Sequence, residues 1–220
     1  AAGEEASLAL KFWIEQAFWG LSWMNRYEAI QFGRLGGSQV NRSQSGVYYI
    51  SSLVAECSPR YNLEGSMPSR GKRRSLVKMW ANNAVRAGNV AISTGSSERV
   101  PLPSDSVDYV FVDPPFGENI YYSDLNYLIE RWHGVLTADE NEAIVDRSKR
   151  EPRSLPEYQS LMARCFSEFR RVLKPGRWMT VEFSNSSNEV WLAIQEALSQ
   201  AGFVTADTRV LDKDQLSYRQ

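Results

Sequence analysis

The sequence predicts an α/β fold in which a mostly parallel sheet carries helices on both faces. Two observations predict it. From Asn89 onward, apolar runs of strand length alternate with longer amphipathic segments, the spacing of a doubly wound sheet. Within that stretch, Val107-Asp108-Tyr109-Val110-Phe111-Val112 is almost continuously apolar, as expected for a central parallel strand covered on both faces.

The elements follow in chain order. Residues from about Glu5 to Tyr27 read as a helix, with Leu8, Phe12, Phe18, Trp19 and Leu21 on a broad apolar face. Gly33 to Gly46 is rich in Gly, Ser, Asn and Gln and reads as a loop. Val47-Tyr48-Tyr49-Ile50 reads as a short strand, Ser58-Pro59 to Gly71 as loop, and Arg73 to Arg86 as a helix ending near Gly88. Val90-Ala91-Ile92-Ser93 is then a short buried strand, and Val107 to Val112 a stronger one. Ser123 to Trp132 and Pro156 to Leu173 are helical. Lys174-Pro175-Gly176 ends the second helix, and Trp178 to Phe183 is the next strand. Asn188 to Gln200 is a helix stopped by Gly202, and Phe203 to Leu211 is the last strand.

Composition narrows the function classes. A chain of 220 residues, 43% hydrophobic, is long enough for one sizeable core with an appendage. Its 25 basic and 26 acidic residues exclude a globally basic nucleic-acid binder, so affinity for polyanions must come from local patches. Two distant cysteines, Cys57 and Cys165, and a single histidine, His133, give no zinc signature and no disulfide scaffold. No apolar run reaches the roughly 18 residues that span a membrane. The N-terminus lacks a signal-peptide pattern. The expectation is a soluble cytoplasmic protein without metal or membrane partners. The missing initiator Met points to a fragment or a processed chain.

Asp113-Pro114-Pro115-Phe116 directly follows the strongest strand, and ligands of open α/β sheets bind beyond the carboxyl ends of strands. Two prolines fix φ and hold a rigid turn, and neither has an N–H. A carboxylate beside their carbonyls is a cluster of acceptors with nothing to donate. Such a cluster suits an –NH2 group whose lone pair must face an electrophile. An aromatic at the fourth position can stack on a flat heterocycle. Thr94-Gly95-Ser96, a polar glycine-containing loop after the preceding strand, is placed to touch a cofactor.

The run from Ser93-Thr94-Gly95-Ser96 through Asp113-Pro114-Pro115-Phe116-Gly117 resembles the amino-methyltransferase family, the prokaryotic N6-adenine and N4-cytosine DNA methylases. Phe169-Arg170-Arg171-Val172-Leu173-Lys174-Pro175-Gly176 followed by a strand is similar to that family too. Met24-Asn25-Arg26-Tyr27 and Ser45-Gly46-Val47-Tyr48-Tyr49-Ile50 resemble large prokaryotic DNA methylases in which an insert separates the cofactor motif from the catalytic motif. The resemblance implies a Rossmann-like methyltransferase fold, incomplete at both ends. It implies S-adenosylmethionine as methyl donor and a DNA base flipped into the pocket, as in restriction-modification. Asp113 and the Pro114 carbonyl hold the target amine, Pro115 completes the turn, and Phe116 stacks on the base. Thr94, Gly95, Ser96 and Asp113 face the cofactor. The implied division is a helical and loop segment over 1–88, an insert or target-recognition-like piece, and a catalytic region over 89–220.

The family's Phe-x-Gly-x-Gly cofactor motif has no counterpart. Gly33-Arg34-Leu35-Gly36-Gly37 lies in a loop with no preceding strand, and Ser96 or Ser97 stands where an acidic residue often meets the cofactor's adenine. The expectation is a piece of a larger enzyme, cut at both ends.

Further substrate contacts are expected from Tyr121 and Tyr122 and from the basic residues Arg147, Lys149 and Arg150, with Arg153 beside them. A second basic cluster, Arg70, Lys72, Arg73, Arg74 and Lys78, reads as a solvated helix start or a phosphate grip. Glu182 and Asn185 are candidates for the cleft rim. Alternatives are an RNA base methyltransferase, for example on guanine N2, and a non-catalytic nucleic-acid-binding remnant. A protein-glutamine methyltransferase is disfavoured, because Asn usually precedes the two prolines there.

Overall fold

The computed structural model describes residues 2–15, 17–27, 40–41, 50, 52–64, 90–117, 121–145 and 153–210. The chain divides into two compact units. The first comprises Ala1–Ile92 with Arg131–His133, and the second Ser93–Glu130 with Gly134–Gln220. No described helix is long and apolar enough to cross a membrane.

The first unit contains α1 (Ala2–Glu15), α2 (Phe18–Leu21), β1 (Arg26–Tyr27), β2 (Val40–Asn41) and α3 (Pro59–Glu64). β1 and β2 pair antiparallel. The single helix expected from Glu5 to Tyr27 is therefore broken. Asn25 accounts for the end of the helical run after Leu21. Its amide donates to the Gly20 carbonyl at 3.2 Å and the Ala55 carbonyl at 2.5 Å, and such side-chain bonds compete with helical pairing. Asn25 is 1% exposed and its backbone carbonyl accepts from Ala55 N, so the chain is pulled out of the helix to meet residues 53–55. Residues 59–64 form a helix where a loop was expected. Pro59 opens it with a pre-set φ, and Asn62 N closes the first turn on Ser58 O. The strand expected at 47–50 lies mostly outside the described residues, and Ile50 belongs to no strand. The helix expected at 73–86 lies wholly outside them.

The second unit holds β3 (Val107–Val112), α4 (Tyr122–His133, with its last three residues grouped in the first unit), a 3-10 turn (Asp139–Asn141), α5 (Leu155–Val172), β4 (Leu173–Val181) and α6 (Asn188–Gln200). α5 starts where Ser154 and Glu157 form a reciprocal capping box, with Pro156 in the first turn. Its buried Tyr158, Met162, Cys165 and Phe166 recur at helical spacing and meet Val190, Ile194 and Ala197 of α6. Val112, Met179 and Val181 of the sheet pack on this cluster. β3 and β4 are parallel, in register from Tyr109↔Trp178 to Val112↔Val181, with an irregularity towards Val107↔Leu173.

A mixed α/β unit with a parallel strand pair is thus present, but three expectations change. Val90 to Ser93 and Phe203 to Val210 form no strand, and Ile92 and Val204 are 85% and 90% exposed. β4 begins at Leu173, before Lys174-Pro175-Gly176, and ends at Val181. Among the described residues β3 has one strand neighbour and one covered face, so it is neither central nor clothed on both sides. Asp108, Tyr109 and Phe111 are exposed, while Val107, Val110 and Val112 are half-buried. On the open face Tyr109 donates to Thr180 Oγ1 at 2.6 Å. An apolar hexamer with aromatics at alternate positions fits one-sided cover as well as two-sided cover.

Arg171, in the last turn of α5, fixes the approach to β3. Its guanidinium donates to Val100 O at 3.2 Å, Leu102 O at 2.9 Å and Ser104 Oγ at 3.1 Å. It also pairs with Glu168 at 2.8 Å, and Glu168 accepts from Val100 N at 2.8 Å. The Arg171 hydrogen bond, helped by the Val100 N–H, holds the Glu168 carboxyl down to about 2, against an ordinary 4.5. Because the folded value is depressed, this stabilisation is fully present above pH 4.5 and is lost as pH falls towards 2. Urea unfolding across that interval is expected to show a falling midpoint, and Glu168→Gln is expected to remove much of the pH dependence.

Candidate active site at the Asp113 turn

β3 delivers the chain into Asp113-Pro114-Pro115-Phe116. Asp113 is exposed, Pro114 is buried, and Pro115 and Phe116 are half-buried. Gly117 then adopts φ +86°, and a Cβ there would lie 3.2 Å from Val190 Cγ1. Glycine is needed both for the left-handed backbone and for the close approach of α6.

The carbonyls of the turn divide into two sets. Val112 O accepts from Glu182 N at 2.9 Å, extending the strand pair by one bond. Pro115 O accepts from the Tyr158 hydroxyl, and Phe116 O from the Asn185 side-chain amide. Among the described residues, no donor reaches the Asp113 carboxylate or the Pro114 carbonyl. These two acceptors belong to adjacent residues after the carboxyl end of β3, and the next two carbonyls, of Pro115 and Phe116, are engaged.

Aromatic packing sets the ring of the fourth residue. Phe116 meets Phe183 edge to face, with centroids 5.6 Å apart, and Phe183 meets Trp191 in the same way at 5.0 Å. Trp191 Nε1 donates to Asn185 O at 2.9 Å, which closes the cluster.

Tyr122 opens α4. Burial raises its hydroxyl above the ordinary phenol range, and the Asp113 carboxylate raises it further. The same two kinds of cause act on Tyr158, where burial dominates and Tyr122 adds. Both phenols are therefore neutral donors at physiological pH. The start of α4 is held by Glu142, which accepts from Ser123 N at 2.9 Å and Ser123 Oγ at 2.5 Å. Arg153 in turn donates to the carbonyls of Glu142 and Asp139. Two donors of that guanidinium are thus engaged within the fold rather than presented to a phosphate.

The other expected residues are placed less closely. Thr94, Gly95 and Ser96 are exposed, and a Cβ on Gly95 would meet nothing within 4 Å. No hydrogen bond joins them to the Asp113 turn among the described residues. Ser96 instead exchanges hydrogen bonds with Glu98, whose carboxylate pairs with Arg164. Tyr121 is half-buried just before α4. Arg147, Lys149 and Arg150 lie outside the described residues, as does the basic cluster at 70–78. No group of His, Cys, Asp or Glu able to hold a metal occurs among the described residues. The first unit has an open cleft of about 520 Å³ lined by Gly20 to Trp23 and Val54 to Cys57, and it contains none of the expected site residues.

Tyr158, Phe183, Trp191 and Glu142 join the site without having been expected there. Tyr158 falls on the apolar stripe of α5, where a tyrosine reads as core, and nothing in the local sequence pairs its hydroxyl with Pro115. Asn185 was legible as a strand-end polar residue beside the cleft, but its partner was not. The chain matches no protein-family model, no curated protein and no solved structure.

Gly117→Ala is expected to destabilise the protein by about 1–2 kcal/mol, the usual cost of a left-handed backbone for a residue with a Cβ. Chemical denaturation would measure the loss.

Proposed function

We propose that this chain carries the catalytic region of an S-adenosylmethionine-dependent methyltransferase acting on an exocyclic amino nitrogen of a DNA base, adenine N6 or cytosine N4. The observation that carries the reading is a pair of acceptors that no donor reaches among the described residues, the Asp113 carboxylate and the Pro114 carbonyl, at the carboxyl end of a parallel strand. An amino group has two N–H bonds. One directed at each acceptor leaves the nitrogen lone pair turned outwards, away from the ring plane. The charge on Asp113 strengthens its share of this grip. No general base with a shifted pKa is needed, because the nitrogen loses its proton to water once it carries the methyl group.

A base inside a duplex cannot reach such a turn, so the reading requires a flipped nucleotide. Phe116 supplies a ring for it to stack on, Tyr121 and Tyr122 wall the pocket, and Arg147, Lys149 and Arg150 contact the phosphates. The described residues do not form a cradle for S-adenosylmethionine, since Thr94 to Ser96 are exposed and nothing packs against Gly95. That feature favours a second reading, a nucleic-acid-binding remnant without catalysis. Calorimetry with S-adenosylmethionine separates the two, since the enzyme binds it and the remnant does not.

Asp113→Ala is expected to abolish transfer of labelled methyl to DNA by the full-length protein while leaving its circular dichroism unchanged. Loss of the charged hydrogen bond alone costs about 1.5–3 kcal/mol, and misalignment of the amine adds to it. Unchanged turnover would contradict the assignment. Parallel reactions on DNA, tRNA and rRNA distinguish the DNA reading from an RNA one.

Phe116→Ala is expected to weaken base binding by about 1–3 kcal/mol, with Phe116→Trp retaining most of it. Fluorescence of a 2-aminopurine placed at the target position would report both.

A further inference from the structure

Among the described residues, the Pro115 and Phe116 carbonyls of the turn have donors, while the Asp113 carboxylate and the Pro114 carbonyl have none. We infer that Asn185 and Tyr158 are positioning residues, which hold the Phe116 and Pro115 carbonyls away from the target amine so that the Asp113 carboxylate and the Pro114 carbonyl can meet it. The inference rests on the proposed methyl transfer and adds two residues that act through the backbone of the turn without touching substrate.

The orientation of the Asn185 amide follows from its own partners. Its Oδ1 accepts from Ser187 N at 2.6 Å, so Nδ2 is the end that donates to Phe116 O. Its backbone carbonyl is engaged by the Trp191 indole at 2.9 Å. Asn185 is therefore fixed at three points between the end of β4 and the start of α6. The left-handed Gly117 lets the preceding peptide present its carbonyl to this amide.

Tyr158 is 2% exposed and sits in the first turn of α5, where the capping box fixes the helix start. A phenylalanine would fill the same volume in the core. The hydroxyl adds one thing, a donor for Pro115 O. Burial keeps that hydroxyl protonated, so the donor persists across the physiological pH range.

The turn cannot satisfy these carbonyls itself. Pro114 and Pro115 have no N–H to offer, and the half-buried Pro115 and Phe116 carbonyls take their donors from Tyr158 and Asn185. Freed from Tyr158 or Asn185, the Pro115 or Phe116 carbonyl would compete for the amine's N–H groups and rotate the turn towards them. The amine would then be bound but misdirected. This places the defect in the chemical step and not in binding.

The test is steady-state methyl transfer by the full-length protein, with labelled S-adenosylmethionine and duplex DNA, for Tyr158→Phe, Asn185→Ala and Asn185→Asp. Tyr158→Phe and Asn185→Ala are expected to lower kcat by about tenfold or more, as a small misplacement of reacting groups does, with KM for DNA nearly unchanged. Asn185→Asp keeps the acceptor for Ser187 N and cannot donate while ionised. Its protonated acid can donate to Phe116 O, so its kcat, relative to the native protein, is expected to recover only as pH falls below about 5 towards the ordinary aspartate value of about 3.9. A merely structural asparagine would lose and regain kcat only in step with melting temperature.

Native kcat in Tyr158→Phe and Asn185→Ala overturns the inference. So does a loss of kcat that tracks melting temperature, without recovery of Asn185→Asp at low pH. A native protein that transfers no methyl group to any nucleic acid overturns the proposed function, and the inference with it. An active native protein with indifferent variants overturns the inference alone.

Discussion

The second unit depends on how a proline-containing turn at the end of a strand satisfies its backbone carbonyls. Buried polar backbone groups must find partners, and two consecutive prolines remove the local donors that a turn ordinarily uses. Donors must then come from distant parts of the chain. They come from Tyr158 at the start of α5 and from Asn185 after β4. This requirement links the turn to the start of α5 and to the segment that leads into α6.

Helix α5 is the element through which that linkage is held. Its Ser154–Glu157 box fixes where the first turn begins, and so where Tyr158 lies. Its middle carries the apolar stripe that packs on α6 and on the inner face of β3 and β4. Its last turn carries Arg171, which grips the loop leading into β3 while the Arg171 and Val172 carbonyls accept from Asp105 and Ser106 N–H groups. One helix thus sets the entry to β3 through Arg171 and the exit from it through Tyr158. The sheet is small, and the site is nonetheless fixed at both ends of its strand.

Local chemistry was legible in the sequence where one residue type has one physical use. The helix over 188–200 and its stop at Gly202, the strand over 107–112, and the helix that begins near Pro156 all follow from periodicity and punctuation, and all are present. Legibility failed where an apolar run needs a partner that the run itself does not name. Val90 to Ser93 and Phe203 to Val210 have strand composition, yet a strand also needs a ladder, and the described residues give them none. Tyr109 and Phe111 read as buried because aromatics are apolar, and they stand exposed because no described element covers their face of the sheet. Asn25 broke a helix that the apolar pattern drew as continuous, through bonds to Gly20 and to Ala55 far along the chain. At the site, Asp113 and the prolines announced themselves by type. Tyr158 did not, and Asn185 showed only as a polar residue at a strand end, because their bonds to the turn cross long sequence separations.

The central claim is that Asp113 and the Pro114 carbonyl present a nucleobase amine for methylation. Mass spectrometry of nucleosides, after incubating DNA with the full-length protein and isotopically labelled S-adenosylmethionine, tests it most directly. Labelled N6-methyladenine or N4-methylcytosine is the expected product, with none formed when Asp113 is alanine. Labelled methyl on a ring carbon, on RNA alone, or on no base at all would contradict it.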